Sequence, residues 1–271
     1  MIELHPTAVV HPSARLADGV VVGPYAVIGE DVQIGARTTV GPHVVIEPHT
    51  TLGDDCRIFP GAVLGAVPQD LKFDGERTRC IIGDRNTIRE CVTINRGTAA
   101  SGETRVGHDN LLMAYVHVAH DCVVGNGIVL ANAATLAGHV TVGDGAVVGG
   151  LVGVHQFCRI GALAMIGAMS RIVQDVPPYA LAEGSPPRVS GTNVIGLRRA
   201  GVAAEVRTAL KEAYRILYRQ RLNVGQAVAA IEAEPALMEQ AEVRHLVAFV
   251  KGGTRGLVGI ARRQGPAEVE G

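Results

Sequence analysis

At 271 residues, 47% apolar and 19% charged, the chain can bury a sizeable core in one large domain, or in one large and one small. That excludes a disordered segment and a disulfide-stapled miniprotein, and a net charge of −1 gives no global electrostatic reason to bind nucleic acid or a membrane surface. With 34 glycines, 13 prolines, no tryptophan and 3% aromatics, the backbone turns often and packs aliphatic side chains, yet the glycines lack the every-third spacing of collagen. Cys56, Cys80, Cys91, Cys122 and Cys158 are scattered, odd in number and free of any C-x-x-C pair, which suits a reducing compartment. The N-terminus lacks the basic and apolar regions of a signal peptide, and no apolar run approaches the roughly 18 residues of a membrane span. The expectation is a soluble cytoplasmic protein.

Stepping by six from Leu4 meets Val10, Leu16, Val22, Ile28, Ile34, Val40, Ile46, Leu52, Ile58 and Leu64. Misses fall at Asp70, Glu76 and Ala100, and the aliphatics otherwise continue to Ile172, making 26 Leu, Ile or Val in 29 positions. Many are followed by glycine, as in Val22-Gly23, Ile28-Gly29 and Val124-Gly125. This is the pattern of a parallel β-helix, three short strands and 18 residues per coil, with one aliphatic per hexad pointing inward. The misses mark two excursions, roughly Ala66–Arg79 and Arg96–Thr104, predicted to leave the coil as loops, natural carriers of function. Past Ile172 the repeat stops, and Val176-Pro177-Pro178 and Ser185-Pro186-Pro187 read as extended linker.

From about Val202 the chain becomes rich in Ala, Leu, Glu and Arg and predicts helices over Val202–Arg221, Val224–Glu232 and Ala236–Lys251, stopped by Gly252-Gly253. The boundary is placed at 192, giving a solenoid of net −5 and a helical domain, 193–271, of net +4. Arg207, Lys211, Arg215 and Arg219 fall at successive i+4 steps, which forms either a solvated face or a docking surface for an acidic partner.

Offsets of 18 convert sequence into geometry. His120, Gly138 and Gln156 form one ladder across adjacent coils, Asp121, His139 and Phe157 the next, and His117 and His155 lie close by. A histidine can act as general base near neutral pH with a carboxylate to stabilise its imidazolium. A glycine one coil away can offer its N–H to an oxyanion. His120, Asp121 and Gly138 therefore suit acyl transfer to a hydroxyl. Without a G-x-S-x-G motif or a cysteine beside a histidine, direct attack by the acceptor is favoured over a covalent intermediate. Two blander readings stand beside this one. The histidines could be surface or inter-coil hydrogen-bonding residues, or ligands of a zinc site like that of solenoid carbonic anhydrases. The H-x-x-x-x-H spacing of the latter is missing, and neither metal nor cofactor is assigned.

The run His117-Val118-Ala119-His120-Asp121-Cys122-Val123-Val124-Gly125-Asn126 resembles the active-site coil of the acyl-ACP–UDP-N-acetylglucosamine O-acyltransferase (LpxA) family of hexapeptide-repeat acyltransferases. Gln69-Asp70-Leu71-Lys72, Ala133-Ala134-Thr135-Leu136-Ala137-Gly138-His139-Val140, Val154-His155-Gln156-Phe157-Cys158 and Thr254-Arg255-Gly256-Leu257 extend the likeness over nearly the whole chain. The resemblance implies an all-β left-handed parallel β-helix followed by a small α-helical C-terminal domain. It also implies transfer of a 3-hydroxyacyl chain from acyl carrier protein to the 3-hydroxyl of UDP-N-acetylglucosamine, the first step of lipid A and hence lipopolysaccharide synthesis. His120 would be the base, Asp121 its support and Gly138 the oxyanion donor. Gln69, Asp70 and Lys72 would contact substrate from the first excursion, with His117, His139, His155 and Gln156 lining the cleft. Asn193, Arg198 and Arg199 would hold the nucleotide or the acyl-pantetheine end. The family forms homotrimers with sites between subunits, and the basic stripe would meet the acidic carrier protein. Ala200 and Ile195 depart from the family pattern at the nucleotide or carrier end. Ala168 occupies the acyl-ruler position, and its size implies a chain shorter than glycine-bearing members select. The rival readings are the N-acyltransferase of the same pathway, acylation of a 3-amino sugar, and a binding solenoid without chemistry. The first carries an added N-terminal domain, for which hexads starting at Leu4 leave no room.

Overall fold

The computed structural model describes residues 1–260. Most hexads form a two-residue strand whose second residue is the repeat aliphatic, as in Val21–Val22, Val27–Ile28 and Gln33–Ile34. That residue is buried and its predecessor faces outward, because successive side chains alternate across a strand. Three consecutive strands enter three different sheets, of eleven, nine and eight strands, and the fourth pairs in parallel with the first. Val22 thus pairs with Val40, Ile28 with Ile46, and Ile34 with Leu52. The stacked aliphatics fill the interior as one continuous core from Val20 to Ile172. We refer to the first sheet (from Glu3–Leu4), second sheet (from Val9–Val10) and third sheet (from Arg15–Leu16).

Both excursions leave the corner between the second and third sheets. The first joins Val63–Ala66 to Arg79–Ile82, and the second joins Thr93–Asn95 to Glu103–Val106. Across them the coil offset grows to 30 residues at Arg57 and Thr87, and to 24 at Thr93 and His117. Both offsets are multiples of six, so the hexad phase resumes unchanged after each loop. The loops are tied together: Asn95 donates to the Val67 carbonyl at 3.1 Å, the Ala99 N–H to Glu76 at 3.2 Å, and the Arg96 guanidinium lies 5.6 Å from the Phe73 ring centre.

The end of the solenoid differs from the linker reading. Val176 is fully buried and bridges Ile160, so the coil continues past Ile172. Ala180–Glu183 then pairs in parallel with Met165–Ile166, and Arg188–Thr192 folds back antiparallel upon it. The prolines fall at the turns of this hairpin and leave its strands free to pair. Among the described residues five helices follow: α1 (Val194–Arg199), α2 (Ala204–Arg219), α3 (Val224–Glu232), α4 (Pro235–Met238) and α5 (Ala241–Lys251). The sequence pattern missed α1, a six-residue helix with a single buried side chain, Leu197. It also merged α4 with α5, although the chain is extended at Gln240 between them. Among the described residues no helix is long and apolar enough to cross a membrane.

Arg159 fixes the helices to the solenoid. Its guanidinium binds the fully buried Asp175 carboxylate at 2.7 and 2.9 Å, donates to the Phe249 carbonyl at 2.8 Å, and sits 4.1 Å from the Phe249 ring centre. Tyr179 adds a hydrogen bond between its hydroxyl and His245 at 2.9 Å.

Candidate active site

The second-to-third corner of the coil after the excursions carries His120 and Asp121, and the next two coils place Gly138 with His139, then Gln156 with Phe157, above them. The same corner position holds Pro12 and Pro48 in earlier coils, so the fold requires no N–H there. Asp121, His139 and Phe157 all adopt positive φ, near 60°, as the tight corner demands.

Asp121 has no exposed side-chain surface and is surrounded by donors. His120 Nδ1 lies 2.8 Å from Oδ2, Thr98 Oγ1 donates to Oδ2 at 2.7 Å, the Thr98 N–H donates to Oδ1 at 2.9 Å, and Ser101 Oγ donates to Oδ1. Burial alone would raise this carboxyl, but the hydrogen bonds from Ser101, His120 and Thr98 overcome it and bring the pKa down to about 2. An ionised Asp121 can only accept, so His120 Nδ1 carries the proton and Nε2 keeps its lone pair.

That reactive edge lies against Gly138. A Cβ there would sit 2.5 Å from His120 Cε1 and 2.7 Å from Nε2, so any side chain would expel the ring. Gly138 is buried beneath the imidazole, and its N–H has no acceptor among the described residues. A buried N–H without a partner is rare in folded proteins. His139 meets His120 edge-on with ring centres 5.3 Å apart and stacks on Phe157 at 4.4 Å. Its Nε2 is 3.6 Å from Asp121, an ion-pair distance longer than a hydrogen bond. His120, Asp121 and His139 could converge on a cation, yet both Asp121 oxygens already accept from protein donors.

The remaining predicted residues are spread around this centre. His117 faces out from the second sheet, with Nδ1 2.7 Å from Thr93 Oγ1, and burial followed by the charge of His120 pushes its imidazole below the usual range. His155 Nδ1 receives a hydrogen bond from Arg255 at 2.9 Å, and Gln156 is exposed beside it. Gln69, Asp70 and Lys72 lie on the first excursion, where Asp70 caps the Lys72 N–H at 3.1 Å. Asn193 caps α1, accepting from the Gly196 N–H at 3.0 Å and donating to the Leu163 carbonyl at 2.9 Å, so its amide is occupied within the fold. Arg198 and Arg199 are exposed at the end of that helix, and Ala168 is exposed at the corner between the first and second sheets. On α2, Arg207 caps the Val202 carbonyl and Arg215 forks onto Glu212, leaving Lys211 and Arg219 open to solvent. The sequence reading did not assign Thr98, Ser101 or Arg255 to the site. The one available signal was that the second excursion leaves the His120 corner one coil earlier.

Comparison with known proteins shows the family. Residues 175–258 match the family model described as UDP N-acetylglucosamine O-acyltransferase, domain 2, and residues 13–48 and 31–66 match the bacterial transferase hexapeptide model. The acyl-ACP–UDP-N-acetylglucosamine O-acyltransferase of Verminephrobacter eiseniae is 55% identical over 261 residues, covering 95% of this chain and 100% of that protein. Its Thiobacillus denitrificans counterpart is 51% identical over 259 residues, with 95% and 100% covered. Among solved structures, LpxA of Acinetobacter baumannii superposes with a TM-score of 0.91 at 42% identity, covering 94% of this chain and 99% of that one. The Francisella novicida UDP-N-acetylglucosamine acyltransferase gives 0.92 at 39%, with 94% of each covered. The solenoid is thus a left-handed parallel β-helix, and the chain belongs to the acyl-ACP–UDP-N-acetylglucosamine O-acyltransferase family.

Proposed function

We propose that the protein transfers a 3-hydroxyacyl chain from acyl carrier protein to the 3-hydroxyl of UDP-N-acetylglucosamine, opening lipid A biosynthesis. It needs no cofactor beyond the phosphopantetheine arm that carries the acyl group. The shared name of the relatives supports the substrate pair. The observation that carries the chemistry is the His120 ring, oriented by Asp121 and lying on Gly138. His120 Nε2 removes the hydroxyl proton as the sugar oxygen attacks the thioester carbonyl. Asp121 stabilises the resulting imidazolium. The Gly138 N–H receives the developing oxyanion, and collapse expels the pantetheine thiolate, which takes the proton back from His120. No group on the enzyme needs to be acylated.

Gln69, Asp70, Lys72, His117, His139, His155 and Gln156 contact substrate in this reading. Arg198 and Arg199 face the nucleotide or pantetheine phosphates, and Asn193 serves them by capping the helix that carries them. Lys211 and Arg219 are the open cations on the α2 face proposed to meet acyl carrier protein. The assembly is a homotrimer with sites between neighbouring solenoids. Tyr115, Leu151 and Met169, exposed by 64 to 72% along the first-to-second corner, support it, since clustered exposed apolar side chains mark an interface. A reducing compartment, the cytoplasm, suits five free cysteines.

The test is mass spectrometry of products from 3-hydroxyacyl carrier proteins offered with UDP-N-acetylglucosamine or its 3-amino analogue. An ester on the first sugar is expected. An amide on the amino sugar alone would redirect the reading to that acceptor, and no product with either would defeat it.

A further inference from the structure

The outward-facing residues of the second sheet form a column: His117 pairs with Thr135, Thr135 with Gly153, and Gly153 with Arg171. The column starts at the site and ends at an arginine. Gly153 interrupts it. Nothing lies within 4 Å of where its Cβ would be, and the missing side chain leaves a notch of about 230 Å³ walled by Thr135, His155 and Arg171.

Two of the side chains that wall this notch, Arg171 and His155, can donate into it, while the Thr135 hydroxyl is directed to the Ala133 carbonyl. Arg171 uses its backbone N–H on the Gly184 carbonyl, while its guanidinium has no hydrogen bond or ion pair among the described residues. Arg255 reaches His155 from the segment after α5 and donates to Nδ1 at 2.9 Å. The Gln156 carbonyl also approaches Nδ1, at 3.2 Å, but the guanidinium is nearer and has only donors to offer, so Nδ1 is taken as the bare nitrogen and Nε2 as the one that carries the hydrogen. The notch is therefore faced by a free guanidinium and by an imidazole fixed as an N–H donor, with a second permanent cation behind it. A forked cation together with neutral donors matches a tetrahedral oxyanion.

Its position suits the reaction. Gly153 lies two coils from His117, about 10 Å at the parallel-strand spacing. That is the scale separating a reacting sugar hydroxyl from the phosphates on the far side of its ring. The single phosphate of a pantetheine arm could approach the same place from the thioester side.

We propose that the notch over Gly153 is a phosphate subsite, with Arg171 as its specificity-determining cation and Arg255 as the positioning residue that sets the His155 tautomer. The proposal rests on the acyl-transfer reading for its role, while phosphate binding itself stands apart from turnover. The test uses the full-length protein and the variants Arg171→Gln, Arg171→Lys and Gly153→Val. Valine suits this strand position, and its Cβ would enter the notch with no atom within 4 Å. Circular dichroism checks that each folds.

The first readout is calorimetric binding of UDP and of 4′-phosphopantetheine, set against uridine and unphosphorylated pantetheine. Arg171→Gln and Gly153→Val should each weaken one phosphorylated ligand about tenfold, the scale of a lost charge-assisted contact, and leave the unphosphorylated controls unchanged. Arg171→Lys should recover most of that loss. The ligand affected identifies the source of the phosphate. In steady-state assays the same variants should raise KM for the matching substrate about tenfold with kcat nearly constant. Nitrogen-15 shifts of the His155 ring should report the Nε2–H tautomer in the parent and a tautomer mixture in Arg255→Ala. Unchanged affinity for both phosphorylated ligands in both notch-altering variants overturns the subsite, even if wild-type turnover is normal. A wild-type protein that lacks turnover but loses phosphate binding in these variants keeps the subsite and removes the acyl-transfer reading.

Discussion

At the scale of single residues the site is a set of constraints on one imidazole. Asp121 fixes which nitrogen of His120 holds the proton, and Gly138, by lacking a Cβ, leaves the space that the ring occupies. His120→Ala should therefore lower kcat by about a thousandfold or more while the circular dichroism spectrum stays native. Unchanged turnover would remove His120 from the mechanism. The donors on Asp121 make a separate prediction about pH. Its folded pKa of about 2 lies below the ordinary aspartate value of 3.8, so its stabilising contribution is complete above that ordinary value and is lost as pH falls through about 2. Thr98→Val with Ser101→Ala removes the two hydroxyl donors of the loop and leaves the Thr98 N–H in place. Urea denaturation from pH 7 to pH 2 should show the parent most ahead of this variant at neutral pH, with the gap closing below about pH 4. A gap independent of pH would mean that the hydroxyls act on packing and leave the carboxylate alone. Ala168 carries the length prediction: Ala168→Gly should move the preferred donor to a longer acyl chain, and a flat profile across donor lengths in parent and variant would contradict a ruler there.

At the scale of elements, the hexad repeat made the solenoid readable because every buried aliphatic recurs at one period, and the excursions keep that phase by inserting multiples of six. The ladder of His120 and Gly138 was readable for the same reason, since an offset of 18 is a spatial neighbour. Thr98 and Ser101 were not, because a loop that leaves the coil loses the period that converts sequence into position. The linker reading failed at the hairpin because Pro177, Pro178, Pro186 and Pro187 announce turns but say nothing of the strand pairing between them. Helix α1 was invisible because one buried side chain, Leu197, cannot generate a periodic signal. The join between solenoid and helices gives the prediction at this scale. Arg159 is the principal partner of the fully buried Asp175. Arg159→Met would leave that carboxylate buried and unpaired, at a cost of about 3 kcal/mol. Thermal unfolding should fall by several degrees, and Asp175→Asn in the same chain should restore part of the loss. No destabilisation would show that the helices are held by apolar contact alone.

At the scale of the whole molecule, one chain leaves large apolar side chains uncovered. Its first-to-second corner exposes Tyr115, Leu151 and Met169, and Leu71 at the end of the longer excursion has its whole side chain in solvent. The opposite electrostatic character appears at the corner between the third and first sheets, where Arg37, Asp55, Arg85 and Asp109 form a ladder of ion pairs facing water. A solenoid with one charged corner and one apolar corner has a preferred face for neighbours. If neighbours complete the proposed cleft, charging the ridge should destroy assembly and turnover together. Tyr115→Glu with Leu151→Glu should sediment as a monomer with native circular dichroism and no transfer activity. Mixing then separates a shared site from mere stabilisation. Parent chains co-refolded with an excess of His120→Ala chains should keep one working histidine for each parent chain, so activity per parent chain persists if a neighbour lends only surface to the cleft. Co-refolding His120→Ala chains with chains altered at Lys72 and Arg198 should restore activity if those residues reach across to the neighbour's histidine. Activity that stays absent in that mixture, while the parent mixture remains active, would place every group of a site on a single chain.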